Sequence, residues 1–147
     1  MKRIFVSLSF MLTVGLATGF ANEKMNVPDK VKEAFKKEFT GVESVNWSDL
    51  GDYQRAAFVF GGHRTEAYFN TDGELQGTVR DLLFDQLPLA VMKAIDNRFN
   101  GAGIMVIREI TNIEGTSYRI TFEAQHKTYR VKVDTGGNFS ELTRDKN

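Results

Sequence analysis

The chain has 147 residues and no cysteine, and its 19 lysines and arginines balance 19 aspartates and glutamates. The lack of cysteine excludes a disulfide framework and the lipid-modified cysteine of bacterial lipoproteins, and the charge balance excludes the basic field that nucleic-acid binding needs. Twelve phenylalanines predict a core dominated by aromatic packing.

At the N-terminus Lys2 and Arg3 precede an apolar run from Ile4 to about Leu16, and small residues follow, which is the build of a secretory signal peptide. Gly19 and Ala21 supply the small side chains that a signal peptidase accepts, so cleavage is expected after Ala21, with Ala17 as the alternative. A membrane anchor would need about 20 apolar residues, and the run is shorter. Loss of residues 1–21 removes Lys2 and Arg3, leaving 17 basic against 19 acidic residues and a net charge of −2. Residues 22–147 then suit one domain, periplasmic or secreted, with no membrane span and no need of disulfide or metal.

The mature chain opens with VPDKVKEAFKKEF, residues 27–39, in which Val31, Ala34, Phe35 and Phe39 share one face of a helix. Pro28 is expected at the first helical position, and Gly41 as the residue that ends the helix. LPLAVMKAIDNRF, residues 87–99, repeats these devices 60 residues later: Pro88, Val91, Ala94, Ile95, Phe99 and Gly101 stand for Pro28, Val31, Ala34, Phe35, Phe39 and Gly41. Leu89, Ala90 and Met92 are apolar where the first helix is polar, which predicts that the second helix lies deeper.

After each helix the apolar period changes from 3.6 to 2. Ala56, Phe58 and Phe60, then Ala67 and Phe69, recur at every second position in the first half. Tyr118, Ile120, Phe122 and Ala124, then Tyr129, Val131 and Val133, do so in the second. Short turns at Gly61-Gly62-His63, Asp72-Gly73, Gln125-His126-Lys127 and Gly136-Gly137 demand antiparallel hairpins. The expected strands are 43–48, 53–60, 65–70 and 74–80, then 104–113, 117–125, 128–134 and 138–143. The predicted class is α+β: two tandem repeats of a helix and antiparallel strands, spanning about 27–82 and 87–145.

Val27-Pro28 opening the first helix, Val45 and Trp47, Tyr53 with Phe58, the Gly62 turn with Ala67 and Phe69, and Gly73 follow one another in an order that resembles the PepSY-like, β-lactamase-inhibitor-protein-like family of secreted bacterial proteins, common in Bacteroidetes. The resemblance covers the mature chain as two copies. Thr40 departs from it where a proline is expected at the helix exit, and Ile107 stands where the first half has Trp47. The resemblance implies a curved antiparallel sheet with helices packed on one face, and a non-catalytic role in binding or restraining another protein.

The residues themselves assemble no reaction centre. No serine lies near a histidine and an acid in a nucleophilic motif. Asn70-Thr71-Asp72-Gly73-Glu74 lacks the alternating ligands and closing glutamate of a calcium loop. His63 and His126, the only two histidines, fall in equivalent turns, and a shared metal site would require those tips to meet. No cofactor is implied, and an envelope hydrolase finds no support.

The strand faces opposite the core differ between the halves. Arg119, Thr121, Glu123, Arg130 and Lys132 read as an ordinary solvated surface in the second half. In the first, Arg55, Ala57, Val59, Glu66 and Tyr68 make an apolar strip rimmed by charge, the pattern of a protein-contact surface. Cover by the second helix is the competing reading of that strip. Trp47, alternating with Val45, reads as a core anchor, or as a binding residue if exposed. The expected function is a non-enzymatic binding module, inhibiting or regulating an envelope or extracellular protein such as a peptidase or other hydrolase. The alternative is a small-ligand or metal carrier using the cleft between the repeats.

Overall fold

The computed structural model describes residues 26–144. The expected signal peptide and its cleavage after Ala21 lie outside the described residues. Helix α1 (Asp29–Glu38) is followed by strands β1 (Val45–Asp49), β2 (Tyr53–Phe60), β3 (His63–Asn70) and β4 (Leu75–Leu82). A single 3-10 turn at Phe84–Gln86 leads into helix α2 (Leu89–Phe99) and strands β5 (Gly103–Asn112), β6 (Gly115–Ala124), β7 (Lys127–Asp134) and β8 (Phe139–Arg144). The eight strands form one antiparallel sheet in chain order, and β4 pairs with β5 although α2 intervenes in sequence.

Both helices lie on one face of this sheet. Val31 and Phe35 of α1 pack on Ala56, Phe58, Ala67 and Phe69, with Trp47 and Phe39 at the margin. Val91 and Ile95 of α2 pack on Ile107, Tyr118, Ile120, Phe122, Val131 and Val133. The first core is aromatic as composition predicts: Phe35 meets the rings of Phe39, Trp47, Phe58 and Phe69 with centroids 4.9–6.4 Å apart. The second is more aliphatic: Tyr118 and Phe122 are its buried rings, and Phe84, Phe99, Tyr129 and Phe139 pack at its edge. Between the two cores the same face turns polar. Arg80 of β4 and Glu109 of β5 stand directly opposite and pair at 2.8 Å, and burial together with the Glu109 charge raises the pKa of Tyr118 beside them.

Three expectations are corrected. Pro28 and Pro88 precede the helices as their N-caps instead of taking the first helical position, because both have extended ψ, 140° and 143°. Their carbonyls nonetheless accept the first bonds of each helix, from Lys32 and Met92. Helix α2 is no deeper than α1: Leu89 and Ala90 are exposed, and only Val91 and Ile95 are buried, matching Val31 and Phe35. His63 is not a turn residue, because Gly61 and Gly62 alone make the turn and His63 pairs with Phe60 as the first residue of β3.

The turns after β3 and β7 share a geometry that ties sheet to helix. In the first, the Asn70 side-chain oxygen accepts the N–H groups of Asp72 and Glu74. In the second, Asp134 Oδ1 accepts those of Gly136 and Asn138. Gly73 and Gly137, with φ of +84° and +87°, then lie so close to the helix starts that a Cβ on either would sit 2.7 Å from the carbonyl oxygen of Lys30 or Ala90. Each turn is therefore docked on the first turn of its helix.

The same geometry gives a pH-dependent term. The Asn138 side-chain amide and the neighbouring N–H groups hold the Asp134 carboxyl below its ordinary 3.8. A carboxyl lowered in the folded state contributes stability above its unfolded pKa and loses it as pH falls through the folded value. Asn70 fills the equivalent place with an uncharged oxygen, so Asp134→Asn is expected to keep the turn and remove this part of the acid sensitivity. Urea midpoints of both proteins at pH 3 and pH 7 check it: the gap between the two pH values should narrow in the variant, and an unchanged gap would contradict this account.

Candidate protein-binding surface

Alternation along each strand sends every second side chain away from the helices, and register decides which of these become neighbours. In β2 and β3, Arg55 stands opposite Tyr68, Ala57 opposite Glu66, and Val59 opposite Arg64. Their chain neighbours Gln54, Ala56, Phe58, Thr65, Ala67 and Phe69 are buried on the helix side. The five predicted residues Arg55, Ala57, Val59, Glu66 and Tyr68 thus share one patch on the face without helices. Helix α2 packs on the opposite face of β5–β8, so it does not cover them, and Val59 is 66% exposed.

The patch is held by its own polar groups. The Tyr68 hydroxyl donates to Glu66 Oε2 at 2.7 Å, and Arg55 Nη2 donates to Ser48 Oγ at 3.0 Å. Partial burial and then the Glu66 carboxylate raise the Tyr68 pKa, while Arg55 opposes them. The phenol is therefore a neutral donor with its ring free to act as an apolar wall. An open depression beside Val59 is lined by Val42, Ser44, Asn46, Ala57 and Arg64.

Trp47 does not belong to this patch. It stands opposite Ala56 on the helix side, with its ring edge-on to Phe35 at 5.3 Å, which is the core reading of that residue. Two residues that the sequence analysis passed over join the patch. Val79 stands opposite Glu66 in β4, and Ile110 stands opposite Val79 in β5. Strand β4 lacks clean alternation of buried and exposed residues, so its outward face is legible only through its pairing.

The other predicted features fall elsewhere. His63 Nδ1 lies 3.0 Å from the Asp81 carbonyl, and its Nε2 lies 3.5 Å from the Gln86 amide, so the ring ties β3 to the end of β4 and the turn beyond it. His126 occupies a left-handed turn position with φ 58°. Among the described residues no three His, Asp or Glu side chains are grouped to hold a metal ion. The β4–β5 ladder closes the sheet between the halves, where a ligand cleft was the alternative expectation. No helix of the described residues is long and apolar enough to cross a membrane.

The described residues thus form an open antiparallel sheet backed by two helices on one face, a fold shared with solved structures of Bacteroides proteins. The chain is similar to a BLIP-like protein of Bacteroides fragilis, with 21% identity and a TM-score of 0.72 over 80% of this chain and 86% of that one. It is similar to a Bacteroides eggerthii protein provisionally assigned to the periplasm, with 23% identity and a TM-score of 0.76 over 80% and 88%. A DUF2874 family protein of Bacteroides ovatus gives 20% identity and 0.74 over 80% and 86%. No family model matches the chain, and no curated protein matches it.

Proposed function

We propose that this protein is a non-enzymatic binding module of the periplasm or extracellular space, exported by the signal peptide at residues 1–21 and built from two PepSY-like repeats in one domain, 22–147. It engages another protein through the bare face of its sheet, with Arg55, Ala57, Val59, Glu66 and Tyr68 as the contact. The partner class is an envelope or extracellular protein such as a peptidase or other hydrolase, which the module restrains. The observation that carries this reading is the placement of Val59, Ala57 and the Tyr68 ring, with Val79 and Ile110, as apolar surface on a sheet face that no helix among the described residues covers. Apolar area left in the open and rimmed by charge favours a protein contact. The likeness to a BLIP-like protein and to one provisionally assigned to the periplasm supports the same reading.

The test is capture of envelope proteins by residues 22–147, with a Val59→Asp/Tyr68→Asp variant beside it. The expected result is a protein retained by the parent and released by the variant, whose circular dichroism remains that of the parent. Equal capture by both would remove the patch from the interface.

A further inference from the structure

Register brings Arg108, Arg119 and Lys132 side by side, although they are far apart in sequence. Strands β5, β6 and β7 are neighbours in the sheet; Arg108 stands directly opposite Arg119, and Arg119 directly opposite Lys132. Their chain neighbours Ile107, Ile120 and Val131 are buried beneath α2, so all three cations point from the bare face. Directly opposed side chains have Cβ atoms about 4.5–5.5 Å apart, so the row is about 10 Å long. Arg130 adds a fourth cation in the next row, opposite Thr121.

Like charges set directly opposite destabilise a sheet, and here two such oppositions are consecutive. Arg119, in the middle of the row, forms no hydrogen bond or ion pair among the described residues; the acid on its flank is Asp134, diagonal to it across β6 and β7 and lining the same depression. The two ends are different. Asp81 Oδ1 lies 3.4 Å from Arg108 Nε, and Glu141 stands opposite Lys132. The row therefore reads acid, three cations, acid across five strands.

We propose that this row receives the carboxylates of an acidic segment on a protein partner, beside the apolar patch on the first half of the same face. The inference rests on the reading of that face as a protein-binding surface, and adds the charge that the partner must carry. Arginine presents a planar fork that matches a carboxylate, and the Asp81–Arg108 pair already shows one seated on the row. The flanking acids confine the positive field to three strands, which fits a few carboxylates. An extended polyanion, a lipid surface or a nucleic acid, would meet Asp81 and Glu141 as well.

The test titrates residues 22–147 into a fluorescent peptide of alternating glutamate and serine, with phosphatidylglycerol vesicles in parallel. Saturable peptide binding is expected, weakening with salt, about tenfold weaker in Arg119→Gln and absent in Arg119→Glu/Lys132→Glu. Thermal melting should show Arg119→Gln to be no less stable than the parent, since it relieves repulsion. The peptide carries no apolar side chains, so its binding should survive Val59→Asp/Tyr68→Asp. That outcome separates failure of the basic row from failure of the patch. No saturable binding, binding indifferent to Arg119→Glu/Lys132→Glu, or tighter association with the vesicles than with the peptide would each overturn the proposal.

Discussion

Replacing Phe35 by alanine is expected to cost about 3–5 kcal/mol of stability. Among the described residues its ring alone meets those of Phe39, Trp47, Phe58 and Phe69 together, and it is 4% exposed. The sheet beneath it contributes Ala56 and Ala67, both fully buried and both too small to move into the space. The loss therefore combines the transfer energy of a phenyl group with an unfilled cavity and several edge-to-face ring contacts. Urea unfolding followed by Trp47 fluorescence measures it, and the midpoint should fall by roughly 2 M. A cost below about 1.5 kcal/mol would mean that the surrounding rings close over the gap. Phe35→Leu, which keeps most of the volume, should lie well under the alanine value.

Gly137→Ala is the second large effect, at about 2–4 kcal/mol. Two costs add there. The residue has φ +87°, a conformation that any Cβ disfavours, and that Cβ would stand 2.7 Å from the Ala90 carbonyl oxygen and 3.1 Å from the Ala94 methyl. The nearest obstacle is helix backbone, so relief requires the β7–β8 turn to lift from α2. Gly101→Ala separates the two costs, since Gly101 has φ +81° with nothing within 4 Å. It should lose about 1–2 kcal/mol, the backbone term alone. Equal losses at the two positions, measured by the same urea titration, would show that the helix contact carries no weight.

The residues in these two predictions were legible to different degrees. Phe35 follows from periodicity, because positions 31, 34, 35 and 39 can share only one face of a helix. Gly137 reads as a turn glycine from its neighbours, but its contact with Ala90 joins segments 47 positions apart and leaves no local mark. The proposed contact patch was partly legible. Ala56 and Phe58 in β2 and Ala67 and Phe69 in β3 mark a period of 2, so Arg55, Ala57, Val59, Glu66 and Tyr68 could be assigned to one face before any pairing was known. Val79 and Ile110 could not, since β4 is half-buried along most of its length and carries no readable period.

By itself the sequence determined the two amphipathic helices, the alternating strands and the tight turns between them, because each is a local consequence of residue spacing and backbone preference. It also determined the aromatic character of the first core. The tertiary structure decided what no local pattern encodes: that β4 pairs with β5 to make one sheet, that both helices lie on the same side of it, and that α2 leaves the patch of Val59 and Tyr68 uncovered. It also set Arg119 and Lys132, read as a solvated surface, beside Arg108 in one basic row. The physical reason is that sheet neighbours are chosen by hydrogen-bond register between distant segments, and a side chain's electrostatic surroundings come from the strands beside it as much as from its own.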